Sequence, residues 1–180
     1  MIKKILVAVD ESYASQCAFE TALQLSKALK AELLLVHVID IFASGAPSNP
    51  LMTVDPLRTI QNEKKIQADY KAKMTEFVNH YDALLQERQT EAKGAGVVVQ
   101  YVKPYGRPGP TICTVAKENN VGLIVIGNRD RSTLKELVPG SVSNYVVHHA
   151  PCSVTIVHSD NYSEPETPAQ FPEFTLAGTL

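Results

Sequence analysis

The sequence lacks the features of secreted, membrane-spanning and nucleic-acid-binding chains. It has three cysteines in 180 residues and no Cys-x-x-Cys pair, which argues against a disulfide framework and suits a reducing compartment. The formal net charge is −2, so composition gives no general reason to expect nucleic acid or an anionic membrane as partner. The apolar run at residues 5–9 ends at an acid and is too short for a signal sequence or a membrane span. We therefore expect a cytoplasmic protein.

Several motifs of enzyme active sites are also missing. There is no Gly-x-Ser-x-Gly elbow, no Gly-x-x-x-x-Gly-Lys-Ser/Thr loop and no Gly-x-Gly-x-x-Gly after a strand. The neighbouring His148 and His149 would point about 100° apart on a helix, which is poor geometry for one metal ion. The sequence therefore predicts no catalytic residue and no metal site.

Short apolar runs alternate with helical patterns along most of the chain. The runs are continuous rather than alternating, as in strands that are covered on both faces of a parallel sheet. They lie at residues 5–9, 33–39, 97–102, 121–126 and 154–157. The resulting β-α-β-α-β-α-β-α-β order predicts an α/β fold, a three-layer sandwich with a five-stranded parallel sheet between helices.

The longest predicted helix covers residues 57–93 and ends at Gly94 and Gly96. One apolar stripe runs along it, which we interpret as the face packed on the sheet, with a partner helix as the alternative. Its members are Ile66, Tyr70, Met74, Phe77, Tyr81 and Leu84. Further on, a rigid turn is predicted from Pro104, Gly106, Pro108 and Pro110.

The chain divides by composition into residues 1–158, one domain, and residues 159–180. The second segment is rich in Pro, Glu, Thr and Ser and has no periodic apolar face. It is predicted to be a flexible tail, although Phe171 and Phe174 could dock on the domain.

Parallel sheets bind ligands beyond the carboxyl ends of their strands, at the point where strand order reverses. Strand one ends at Asp10, which could hold a ribose hydroxyl pair or simply cap the first helix. Strand four runs into Arg129, which could pair with a phosphate or lie solvated on the surface. The helix that begins near Gly140 and Ser141 offers free N–H groups and hydroxyls, a plausible anion cradle or an ordinary cap and turn.

Together these motifs resemble the universal stress protein family. Gly127-x-x-Asp130-x9-Gly140-Ser141 is similar to the family pattern Gly-x-x-Gly-x9-Gly-Ser/Thr, and the first two strands and the last helix and strand are similar in order over residues 2–158. The resemblance implies strand order 3-2-1-4-5, a homodimer and, as in one branch of the family, an ATP-type site. The residues it assigns to adenosine and phosphates are Ala8, Val9, Asp10, Val38, Ile126, Gly127, Arg129, Gly140, Ser141, Val142 and Ser143, and Asp130 is a further candidate because it occupies the second glycine position of the motif.

Asp130 departs from the family pattern, which has glycine there. A carboxylate about 5 Å from a phosphate charge repels it by about 3 kcal/mol at an effective dielectric near 20, about two decades in affinity. Mg²⁺ could bridge the two groups, Arg129 or Arg131 could pair with Asp130, or the ligand could be AMP rather than ATP.

We therefore expect a regulatory module of the stress response that binds an adenine nucleotide, ATP or AMP, with Mg²⁺ accompanying ATP. Catalysis would at most be slow ATP hydrolysis. The alternatives are a dimeric protein that has lost the nucleotide and acts through partners, and a nucleotidyl transferase on a similar fold. The last strand would be an exposed sheet edge, so a homodimer through that strand is expected.

Overall fold

The computed structural model describes residues 1–43, 45–50, 60–128 and 142–159. Within them the chain alternates between five strands and four helices, in the predicted order. The elements are β1 (Lys4–Ala8), α1 (Tyr13–Leu29), β2 (Glu32–Val36), α2 (Ile60–Gly94), β3 (Val99–Val102), α3 (Pro108–Glu118), β4 (Leu123–Asn128), α4 (Val142–His149) and β5 (Ser153–His158).

The five strands form one parallel sheet in the order β3-β2-β1-β4-β5. This order confirms the predicted fold. The central strand β1 pairs with β2 on one side and β4 on the other. The order reverses there, so the carboxyl ends of β1, β2 and β4 meet at one edge of the sheet.

The sheet buries both of its faces because successive side chains along each strand point in opposite directions. On one face Ile5, Val7 and Leu33 pack against α1 and the carboxyl-terminal part of α2. On the other face Leu6 and Ile124 pack against α3 and α4. This two-sided burial explains why the strand sequences are continuously apolar.

Several segment boundaries differ from the sequence prediction, most clearly those of β2 and α3. Strand β2 ends at Val36, although Ile39 forms an isolated bridge with Tyr105 farther along. Pro108 lies in the first turn of α3 rather than in a rigid turn before it. Proline fits there because the first turn of a helix has no intrahelical acceptor for its N–H groups.

The interpretation of the α2 stripe was wrong for the amino-terminal half of the helix. Leu84, Leu85 and Ala92 are buried in the core, whereas Met74 and Phe77 are only half-buried. Helix α2 has 35 residues, about 52 Å at 1.5 Å per residue. The strand that it contacts, β3, has four residues, so the helix is much longer than the surface that it covers.

Candidate functional site

The corner between β1 and α1 is held by side chains that bond to the main chain. Ser15 is buried, and its Oγ accepts a hydrogen bond from the Asp10 N–H at 2.8 Å and donates to the Ala8 carbonyl at 3.4 Å. Both ends of the corner are therefore fixed by one hydroxyl group.

Asp10 does not cap α1. The cap is Ser12, whose Oγ accepts from the Ser15 N–H at 3.2 Å. Asp10 Oδ1 instead accepts from the Ser12 N–H at 2.8 Å and from the Ser12 hydroxyl. These bonds orient a half-buried carboxylate at the end of β1, in the position predicted for a ribose ligand.

Val38 follows the end of β2, and its main-chain groups are unpaired at this end of the sheet within the described part of the chain. On either side of it, the His37 N–H donates to Val102 at 3.2 Å and the Ile39 N–H donates to Pro104 at 2.9 Å, both toward the β3 side. In an extended segment, main-chain groups face alternate sides, so those of Val38 face β1. Among the described residues, neither its N–H nor its carbonyl has a hydrogen-bond partner.

His37 connects this edge to α2. Its Nδ1 lies 2.7 Å from the Val9 carbonyl oxygen, and its ring stacks on Tyr81 with centroids 3.7 Å apart and planes 13° apart. Burial lowers the pKa of His37, although the Val9 carbonyl, Asp10 and Glu11 favour the charged form. The ring is therefore neutral at pH 7, and Nδ1 carries the hydrogen because a carbonyl only accepts.

Gly127 lies against the first turn of α1. A Cβ at this position would be 2.4 Å from the Ala14 carbonyl oxygen and 2.9 Å from the Ser15 nitrogen. Glycine is thus required here for close packing of β4 on α1, independently of any ligand. The same contact brings the end of β4 beside the corner that contains Asp10.

The remaining predicted residues divide into a described and an undescribed group. Val9, Val38 and Ile126 have buried side chains, so they offer a ligand mainly their main chain. Ala8 and Val142 are half-buried at the margin of the core that contains Ile126. Ser143, in the first turn of α4, is also buried. Arg129, Asp130, Gly140 and Ser141 lie outside the described residues.

Sequence reasoning missed His37, Ser12 and Ser15. The two serines follow Asp10 at the spacing of a helix cap, so the capping pattern was a usable signal. His37 had no local signal, because its partners Val9 and Tyr81 are distant in sequence.

The described parts of the chain offer neither a metal-ligand cluster nor a membrane-spanning helix. Those residues contain no group of three or more His, Cys, Asp or Glu side chains suited to a metal ion. None of the helices described there has the length and apolarity needed to cross a bilayer.

Comparison with known proteins identifies the fold family. The model of the universal stress protein family matches residues 1–158. The universal stress protein YxiE of Bacillus subtilis is 31% identical over 163 residues, covering 87% of this chain and 99% of YxiE.

Two solved structures share the fold. One is a universal stress protein in complex with cAMP, with a TM-score of 0.61, 23% identity, and coverage of 88% of this chain and 98% of that one. The other is a universal stress protein family protein from Arabidopsis thaliana with AMP bound, with a TM-score of 0.57, 21% identity, and coverage of 93% and 97%. The match over residues 1–158, the full-length likeness to YxiE and the 3-2-1-4-5 sheet lead to one conclusion: the chain belongs to the universal stress protein family.

Proposed function

We propose that this protein binds an adenine nucleotide, ATP or AMP, where β1, β2 and β4 end, and that it acts as a regulatory module in the stress response. The observation that carries the proposal is the main chain of Val38, which has an N–H and a carbonyl without partners among the described residues. The oriented carboxylate of Asp10 lies at the end of the adjacent strand.

The two free groups of Val38 match the edge of adenine. An N–H needs an acceptor, which a ring nitrogen of adenine supplies, and a carbonyl needs a donor, which the adenine amino group supplies. Hypoxanthine has a ring N–H and an oxygen at the corresponding places, so it presents the opposite pattern. Hypoxanthine would leave both the N–H and the carbonyl of Val38 without a hydrogen bond, and this cost disfavours its binding.

Asp10 would hold the ribose. A carboxylate at the end of a strand is suited to accept hydrogen bonds from a pair of sugar hydroxyls. The bonds from Ser12 fix its orientation before a ligand arrives, which reduces the entropy lost on binding. The binding of AMP and cAMP by two family members of the same fold supports this assignment.

The phosphates would lie against Gly127, Arg129, Asp130 and residues 140–143. Asp130 is the one acidic residue of this set, and its charge favours AMP over ATP unless Mg²⁺ or an arginine compensates.

Two measurements test the proposal. Mass spectrometry of the denatured purified protein should find an adenine nucleotide that co-purified with the chain. Calorimetric titration should give tighter binding of AMP than of IMP, by at least tenfold for the two mismatched hydrogen bonds. Equal affinities for AMP and IMP, or no binding of either, would contradict recognition through Val38.

The Asp130→Gly variant tests the phosphate assignment. Removing the carboxylate should tighten ATP more than adenosine, because only the phosphates experience the repulsion. Loss of Mg²⁺-dependent ATP binding would instead make Asp130 a metal-positioning residue. Equal changes for ATP, AMP and adenosine would place Asp130 away from the phosphates.

The second candidate function is a dimeric protein that acts through partner binding without a nucleotide. Asp130 in place of the family glycine favours this alternative. We propose the homodimer in either case, through the exposed edge of β5. We also propose a cytoplasmic location, which is consistent with three free cysteines at residues 17, 113 and 152, whose thiol pKa values are raised by burial.

A further inference from the structure

The hydrogen-bond ladder between β1 and β2 ends one bond earlier than the register of the two strands would allow. Its last bond runs from the Val9 N–H to the Val36 carbonyl at 2.8 Å. In a parallel pair whose residues match as Ala8 with Val36, the next bond would run from the Val38 N–H to the Val9 carbonyl. That bond is absent, although both residues are buried and close in register.

His37 occupies the acceptor that the ladder would use. The Val9 carbonyl accepts from the His37 imidazole at 2.7 Å, a short bond for a neutral donor. The side chain of His37 therefore donates in place of the Val38 main-chain N–H. As a result, the Val9 carbonyl has a donor and the Val38 N–H has no acceptor among the described residues.

Contacts from α2 keep the ring in this position. The imidazole of His37 stacks on Tyr81, and His37 is only 8% exposed. Tyr81 is itself flanked edge-on by Phe77 and His80 at centroid distances of 5.2 Å. A second tie joins the same elements, because His80 pairs with Glu11, the residue after Asp10.

We propose that His37 is a positioning residue that ends the β1–β2 ladder at Val9 and thereby holds the Val38 N–H open for the ligand base, with Tyr81 fixing the ring. This inference rests on the proposed function for its ligand. Through this stack of Tyr81 on His37, α2 contacts the end of β2 where the ligand base would bind.

Two substitutions at His37 separate the donor from the ring. His37→Asn keeps an N–H at the place of Nδ1 and loses the stack, whereas His37→Phe keeps a ring against Tyr81 and loses the donor. In His37→Phe the Val9 carbonyl becomes available to the Val38 N–H. AMP affinity should then fall about tenfold, and less in His37→Asn, because one ligand hydrogen bond is lost.

Amide hydrogen exchange of Val38 gives a readout that needs no ligand. In the unmutated protein the Val38 amide should exchange much faster than the ladder-bonded Val9 amide. His37→Phe should slow it at least tenfold, and His37→Asn should leave it fast. A residue that only supported the core would change the melting temperature in both variants without this opposite effect on one amide.

Two results from the unmutated protein would overturn the inference even if a variant failed to fold. One is a Val38 amide as protected as that of Val9. The other is an Nε2–H tautomer of His37 in nitrogen–proton NMR spectra at neutral pH. If the unmutated protein bound no AMP but showed the expected exchange pattern and tautomer, the proposed function would fail, whereas the role of His37 in ending the ladder would stand.

Discussion

At the scale of single residues, Gly127 illustrates how a motif position can have a packing role. The space where its Cβ would lie is filled by backbone atoms of α1, which cannot move aside as a flexible side chain can. The glycine therefore sets the distance between β4 and α1. That distance in turn places the end of β4 beside Asp10.

Gly127→Ala should destabilise the protein by about 1–3 kcal/mol, because it forces a methyl group into packed backbone. Gly122→Ala is the matched control, since its Cβ would meet Ile2 at an ordinary 3.5 Å, and its effect should stay within about 0.5 kcal/mol. Urea unfolding of both variants measures the difference. Equal stabilities would mean that α1 shifts freely to accept the extra group.

His37 should make stability depend on pH. Its folded pKa lies below that of the unfolded chain, chiefly because of burial, while Asp10 and Glu11 raise it and His80 lowers it. As the pH falls below about 6.5, the unfolded chain takes up the proton first, so the free energy of unfolding decreases until the folded state is also protonated. His37→Asn should flatten this part of the profile in urea titrations between about pH 7.5 and about pH 5. If the free energy of unfolding changed with pH equally in the unmutated protein and in His37→Asn, His37 would not be the source of the pH dependence.

The residues of the site were only partly predictable from sequence. Asp10 and Val38 follow short apolar strands, and strand ends are where parallel sheets bind ligands. The sequence left Asp10 as either a ribose ligand or the cap of the first helix, and the structure assigns the cap to Ser12. The role of His37 depends on Val9, 28 residues away, and on the point at which a ladder stops. Neither leaves a periodic trace in the sequence.

At the scale of elements, α2 shows that an apolar stripe does not by itself report burial. Ile66, Tyr70, Met74, Phe77, Tyr81 and Leu84 share one face at helical spacing, yet of these only Leu84 belongs to the buried core. Helix α2 also makes polar contacts on this side of the sheet, including the ion pair of Asp82 with Lys103. That pairing lowers the pKa of Asp82.

Leu85→Ala should cost about 2–5 kcal/mol, since Leu85 is fully buried and its loss leaves a cavity. Met74→Ala, on the same helix, should cost less than about 1 kcal/mol because Met74 is only half-buried. Chemical denaturation of both variants tests the comparison. Similar losses would mean that the amino-terminal half of α2 is covered in solution, as a partner helix would cover it.

Element boundaries were harder to predict than element types. Pro108 and Pro110 indicated a turn, but proline is equally suited to the first turn of a helix, and the chain uses it there in α3. The apolar run after Val36 suggested a longer strand. The main chain beyond Val36 instead bonds to the β3 side alone, so the regular ladder on the β1 side ends earlier than the apolar pattern.

At the scale of the whole molecule, the alternation of strands and helices was enough to predict a parallel sheet, because such connections leave few other arrangements. The order of the strands was not contained in that alternation and came from family resemblance. The outermost strands of the sheet are β3 and β5, and the proposed homodimer depends on β5. Strand β5 is an edge strand, and Ile156 within it is 37% exposed.

Ile156→Asp should convert the proposed homodimer to a monomer, because it places a charge where two copies of β5 would pair. Val98→Asp is the control, since Val98 is 65% exposed next to β3 at the opposite edge of the sheet. Sedimentation at micromolar concentration should give a dimer for the unmutated chain and for Val98→Asp. A monomeric unmutated chain, or equal weakening by both changes, would exclude pairing through β5.

The length of α2 has a mechanical consequence. From Tyr81 the helix continues to Ile60, so it extends about 32 Å beyond the stacked pair at 1.5 Å per residue. On a lever of that length, a tilt of about 5° at Tyr81 displaces the far end by about 3 Å. A small tilt of α2 at the ring contact between His37 and Tyr81 would therefore be enlarged at the amino-terminal end of the helix.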